Sequence, residues 1–300
     1  MKLEDVVISG IGVDLRALTR GNPLTNQVQQ RLLDLSFLDP PVDGDFGPIS
    51  QLALQEFGKR SGVTVGLTLD PGLARKLLEG DIDVLLPVSP RADLAGRIFR
   101  YMRRKGFFFA RLSNYVNVVY VEGVTRNGTP NDNRPNVFND RRIVLTIVDG
   151  VPTEQGNWSA TTEPGKDFTE RPVNADGAAR IAFGQYKSWR VGVHNASKRS
   201  GHEALVQVDI VRVHRDLNKD FKRDGDAVFE GSNFGINQHM GFDHPEDNIG
   251  TASAGCLVGR SKEEHREFMR VVKADPRRKA SQGYKYVTTI IDGRDLSAMA

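Results

Sequence analysis

Apolar positions change their period about a third of the way along the chain. Val28, Leu32 and Leu35 recur at i, i+4 and i+7, one face of a helix. Ala53 and Phe57 form a second i, i+4 pair beside Leu54, and Leu73 and Leu77 form a third. Asp70-Pro71 offers an N-cap followed by proline at the first helical position. The run Pro40-Pro41-Val42-Asp43-Gly44-Asp45-Phe46-Gly47 reads as a tight turn between the first two helices. This spacing predicts a small three-helix bundle over residues 23–80, with an N-terminal extension at 1–22 and a Pro- and Asp-containing linker at 81–98.

A basic amphipathic segment runs from Leu94 to Lys105, and beyond it the pattern is that of strands. Tyr115–Glu122, Arg142–Val148, Leu205–Val213 and Tyr284–Ile291 are rich in Val, Ile and Tyr and are bounded by turn-forming residues. Arg126–Asp140 and Asn157–Asp176 read as long polar loops, the usual carriers of function on a β scaffold. One late helix is expected at Lys262–Lys273, with Ser261 as N-cap and Glu264 completing a capping box. The expected fold class is α+β and multidomain: a helical bundle, then a mainly β domain over 99–300.

Length and charge narrow the functions open to such a chain. Its 300 residues suit two domains. A formal net charge of +3 gives no case for nucleic acid as a partner, although it tolerates an anionic polymer. The single cysteine excludes a disulfide within the chain. The first residues carry Glu4 and Asp5 and lack the basic, apolar and small-residue parts of a signal peptide. No apolar stretch reaches the roughly 18–20 residues of a membrane span. The expectation is a monomer made in the cytoplasm, with no membrane partner and no cofactor, which reaches its place of action by release or by a non-classical route.

The segment Asp43-Gly44-Asp45-Phe46-Gly47-Pro48-Ile49-Ser50, followed by Ala53, Leu54 and Phe57, resembles the three-helix peptidoglycan-binding module of bacteria. Val28-Gln29 with Leu32 and Leu35 is similar to its first helix, while Ser36 and Gly58 depart from its usual Gly and Gln. The resemblance implies bacterial peptidoglycan as the partner, Asp43 and Phe46 at the binding surface, and a non-catalytic role that concentrates an attached enzyme on the wall.

The most informative stretch is Phe234-Gly235-Ile236-Asn237-Gln238-His239, then Ile249-Gly250-Thr251-Ala252-Ser253-Ala254-Gly255-Cys256. A cysteine flanked by small residues can sit on a close turn, and an imidazole is the usual activator of a thiol. Backbone N–H groups around Ala254–Cys256 are candidate donors to a tetrahedral oxyanion. This pattern resembles the L,D-transpeptidase cysteine enzymes of peptidoglycan crosslinking. The resemblance implies a β-sandwich or barrel with few helices, Cys256 as acyl-accepting nucleophile, His239 as its base and Gly255 as oxyanion donor, with Ser253 in the motif. Ile236, Asn237, His194 and Arg260 are the candidate substrate-binding residues. Ala254 stands where that family often has His, and Leu257-Val258 follow the cysteine where it has Arg, so that Arg260 is the next base.

These residues support a peptidoglycan-acting cysteine enzyme that attacks a stem-peptide amide through a thioacyl intermediate. It would be a lytic peptidase or carboxypeptidase of phage-endolysin type, or a transpeptidase. A zinc amidase is the second expectation, with His194 or His244 joining His239 and Cys256 as ligands. A non-catalytic wall-binding or virion protein is the third. Among the other histidines, His202 and His214 are weaker candidates and His265 reads as solvated. Asp216, Asn218, Asp220, Asp224 and Asp226 alternate as calcium ligands do, but Phe221 and Ala227 stand where an EF-hand loop needs Gly and Glu. A solvated acidic loop is the better reading.

Overall fold

The computed structural model describes residues 1–299. The helical part consists of α1 (Leu3–Ser9), β1 (Val13–Asp14), α2 (Pro23–Asp34), α3 (Pro48–Ser61), β2 (Thr68–Leu69), α4 (Pro71–Glu79) and α5 (Ile82–Leu85). The expected Asp70 cap is in place, accepting from Leu73 N–H ahead of Pro71, and Asn22 caps α2 in the same way, accepting from Leu24 N–H ahead of Pro23. Leu24, Val28 and Leu32 of α2 meet Leu54 and Phe57 of α3 and Leu73 and Leu77 of α4 in one core. Residues 1–22 are not an extension. Leu3 and Val6 of α1 are fully buried in that core, and β1 pairs with β2.

The β part follows α6 (Leu94–Arg104), whose apolar face is buried. Residues 81–98 are therefore only partly a linker, since α5 and the start of α6 lie within them. Next come β3 (Asn117–Glu122), β4 (Asp140–Val148), β5 (Val151–Thr161), α7 (Lys166–Glu170), β6 (Ala178–Ile181), β7 (Gly184–His194), β8 (His202–Gln207), β9 (Val211–Asp216), β10 (Ala227–Gly231), β11 (Gln238–Met240), β12 (Leu257–Gly259), α8 (Lys262–Lys273), α9 (Pro276–Ala280), β13 (Tyr286–Asp292) and α10 (Gly293–Ala298). Eight strands close a barrel in the order β11-β12-β5-β4-β3-β13-β7-β8, and β10-β9-β6 form a small separate sheet. The molecule is thus mixed α/β, with a large, mainly β sheet and helices around it.

Alternation along the strands divides the apolar residues between two cores. Val118 and Tyr120 of β3 join Val144, Trp158, Trp189, Leu257 and, from α8, Phe268 and Val272. Val119 and Val121 face the other way, towards Ile98, Phe99 and Met102 of α6. Strands β11 and β12 run parallel, with Gln238 opposite Leu257 and His239 opposite Val258. The expected single strand at Leu205–Val213 is two strands in different sheets, and Asn157–Thr161, expected as loop, completes β5.

The helical part and the barrel meet around Asp39, which is buried. Its carboxylate lies 2.8 Å from Lys187 Nζ and 3.8 Å from Arg277 Nη1, and accepts a 3.3 Å bond from Tyr284 Oη. Ile49 packs against the helical core and against the barrel core that holds Trp189.

Candidate functional site

Cys256 lies just before β12, and its place follows from the loop leading into it. Gly255 adopts φ +123°, and a Cβ there would stand 2.5 Å from Ala179 O of β6, so only glycine lets the loop pass so close. The Ser253 hydroxyl accepts from Gly255 N–H at 3.1 Å and donates to Cys256 O at 2.9 Å. Ser253 thus ties the turn together from a buried position. The Gly255 N–H expected to face an oxyanion is already engaged by that hydroxyl.

The side-chain faces follow from the register. Leu257 and Gln238 are paired and turn to the core with Trp189, so Cys256 and Val258 turn to the opposite face. His239, paired with Val258, shares that face. Cys256 and His239 therefore emerge on one side of two neighbouring strands. The thiol donates to Gly235 O at 3.2 Å and accepts from Asn237 N–H at 3.4 Å, so both its hydrogen bonds go to backbone and neither to an imidazole. Phe138, Ile249, Ala252 and Val258 cover it, leaving it 9% exposed.

Four histidines, from β7, β8, β11 and α8, form a cluster of their own. His194 and His239 stack with ring centroids 4.0 Å apart and planes 11° from parallel. His202 stands edge-on to His239 at 5.7 Å, and His265 lies 5.8 Å from His202. Their partners fix the tautomers. The Met240 carbonyl can only accept, so His239 donates from Nδ1 at 2.8 Å and keeps its lone pair on Nε2. Asn237 Oδ1 accepts from Gln207 N–H, so its amide N–H donates to His194 Nδ1 at 2.9 Å. Arg142 donates to His265 Nδ1 at 3.1 Å, and His265 Nε2 donates to Glu203 O at 2.9 Å.

Burial favours the uncharged forms of the thiol and of His194, His239 and His265. Burial pushes the Cys256 thiol up to about 11, against a smaller opposite pull from Asn237 N–H. Burial, then the neighbouring His202, brings His194 down to about 4. Burial and the stacked His194 hold His239 well below the usual imidazole range. Burial and Arg142 bring His265 down to about 3.

An ionic cluster braces the strand ends that carry the loop. Gly165, which follows the β5 strand end, donates its N–H to Ser253 O at 2.9 Å. Nearby, Glu122 accepts from Arg223 at 2.7 and 2.6 Å, and Glu163 accepts from Arg180 at 2.9 Å. Burial, opposed by Arg180, leaves Glu163 raised to about 7, and burial beside Glu122 and Glu163 raises Asp140 well above its ordinary value.

The remaining expected residues are more scattered. Ile236 is not a wall of the cleft; it is 2% exposed in the core, where its carbonyl accepts from Trp189 Nε1. Arg260 donates to His244 O at 3.4 Å in the loop above β12. Asp43 and Phe46 lie in the helical part: Asp43 is exposed and accepts from Gln29 and from Asp45 N–H, while Phe46 is buried. Phe46 also lines a cavity of about 460 Å³ with Arg16, Arg20, Asp45, Gln51 and Gln55. His265 is not solvated but 3% exposed. It belongs to the apolar face of α8, and its spacing from Phe268, Met269 and Val272 at i+3, i+4 and i+7 is the signal that marks it. No group of three or more His, Cys, Asp or Glu side chains is placed to hold a metal ion among the described residues, so neither the zinc nor the calcium reading has a ligand set.

No family model and no curated protein matches this chain. Two solved structures are similar over most of its length. A fused Zn-dependent amidase/peptidase/peptidoglycan-binding domain-containing protein from Clostridium acetobutylicum ATCC 824 shares 11% identity, covers 91% of this chain and 97% of its own, and has a TM-score of 0.26. An L,D-transpeptidase from Xylanimonas cellulosilytica DSM 15894 shares 16% identity, covers 91% and 96%, and has a TM-score of 0.22. At these TM-scores neither likeness carries weight for fold or function.

Proposed function

We propose that this chain acts on bacterial peptidoglycan and that Cys256 attacks a stem-peptide amide with His239 as its base. The observation that supports this reading most is the shared face of Cys256 and His239 on paired strands, with the His239 lone pair on Nε2. The thiol is protonated at rest, so the chemistry starts from a neutral pair. Sγ leaves the Gly235 carbonyl, its proton passes to His239 Nε2, and sulfur bonds to the amide carbon. The C–N bond then breaks as His239 returns the proton to the leaving amine. Water releases the thioacyl group in a peptidase, and a second amine takes it in a transpeptidase. Asn237 is a positioning residue in this scheme: its N–H holds Sγ and its side chain holds His194, which stacks on His239. The helical part, with the cavity beside Phe46, is the wall-binding module, and the place of action is the cell wall.

A second reading, a wall-anchoring protein without chemistry, is favoured by the thiol's burial and its purely backbone hydrogen bonds. One experiment separates the two. Purified protein is incubated with isolated peptidoglycan, and the muropeptides are read by mass spectrometry beside Cys256→Ala and His239→Gln. New products that vanish in both variants support the cysteine enzyme, and the mass change separates hydrolysis from transfer. Wall binding without any new product would leave the anchoring protein.

A further inference from the structure

A cavity of about 440 Å³ opens beside the Cys256 loop, lined by Phe168, Ala179, Arg215, Phe234 and Ala254 among others. Backbone ties it to the thiol on two sides. Ala179 abuts Gly255 and is paired across the small sheet with Arg215. Phe234 precedes Gly235, whose carbonyl holds Sγ. A volume of this size falls within the range of small-ligand sites.

Arg215 is the unusual member of the lining. It is 9% exposed, its guanidinium lies over the Phe234 ring at 5.2 Å, and Nη1 donates to Gly177 O at 3.2 Å. Its Nε is buried without a partner. A buried guanidinium whose one polar partner is a carbonyl is costly in isolation, and an entering anion relieves that cost. The fork of Nε and a terminal nitrogen suits a carboxylate held side-on by two N–H bonds, and the aromatic ring fixes the plane of the fork.

We propose that Arg215 anchors a carboxylate of the peptide substrate in this cavity, so that the peptide is held by one end while its amide lies at Cys256. This rests on the reading of Cys256 as an enzyme of the stem peptide. It makes Arg215 a specificity-determining residue for acidic peptides.

The test is binding, measured by titration calorimetry on the full chain carrying Cys256→Ala so that nothing turns over. The probes are the soluble stem tetrapeptide with free carboxylates and the same peptide fully amidated. The acid form is expected to bind at least tenfold more tightly than the amide. Adding Arg215→Gln should remove that preference while leaving the weak binding of the amide unchanged, and Arg215→Lys should restore part of it. Circular-dichroism melting of each variant checks the fold. Acid binding unaffected by Arg215→Gln, no binding in the parent, or equal loss of both peptides would overturn the proposal. Should the wild type show no Cys256-dependent turnover while the Arg215-dependent preference persists, the enzyme reading falls and the carboxylate site stands.

Discussion

At the scale of single residues, the thiol gives a direct prediction. A cysteine raised by burial reacts slowly until the pH approaches its own titration. Alkylation of native Cys256 by iodoacetamide should be slow at pH 7 and climb towards about pH 11, whereas the guanidine-unfolded chain should titrate near the ordinary thiol value of about 8.5. A native profile centred at or below neutral pH would mean that the site is already activated. Glu163 gives a second prediction. Its folded titration is raised, so its contribution to stability is complete below the ordinary carboxylate range and is lost as pH rises through about 7. Replacing it with Gln removes that loss. The stability of Glu163→Gln relative to wild type should therefore improve by a few kcal/mol between pH 5 and pH 8, read by urea denaturation at each pH. The sequence marks Cys256 and His239 as partners that a hairpin or loop could join, but the parallel pairing of β11 and β12, which sets their faces, leaves no local trace. Nor could the role of Ser253 be anticipated, because a buried hydroxyl bridging Gly255 N–H and Cys256 O leaves no periodic trace.

Elements were legible wherever local chemistry marks their ends. Helix α8 spans Lys262–Lys273, and Ser261 accepts from Glu264 N–H at 3.3 Å as the N-cap predicts, while the return bond from the Glu264 side chain that would complete a capping box is not formed. Ser261→Ala should cost about 1 kcal/mol in thermal denaturation, because α8 sets Phe268 and Val272 into the core. The strands were less legible where polar residues interrupt them. β5 reads Val-Pro-Thr-Glu-Gln-Gly-Asn-Trp-Ser-Ala-Thr, and its outer positions face solvent and ionic partners, so the alternation of two is diluted. The apolar run from Leu205 to Val213 hides a break, because Asp209 caps the turn between β8 and β9 and binds Lys285.

For the whole molecule, the helical part and the barrel are joined by more than a tether. Asp39→Ala would remove the carboxylate that pairs with Lys187, accepts from Tyr284 and faces Arg277 in a buried junction. A loss of about 3 kcal/mol is expected from breaking such a pair, and calorimetry should show the single transition widening or splitting in two. This junction was invisible in the sequence, since Asp39 and Tyr284 lie at opposite ends of the chain, and so was the docking of residues 1–22 onto α4. The barrel itself is unevenly sewn. β4 and β5 are paired over nine positions, but β11 and β12 over three, and β11 meets β8 at Gln238 alone. Cooperative opening begins where hydrogen bonds are fewest. Deuterium should therefore enter the amides of residues 236–241 and 256–259 before those of β3 and β4. On the proposed chemistry the thiol has to turn away from the Gly235 carbonyl, and it sits beside a stretch of wall held by few ladder bonds, where such a turn disturbs little else.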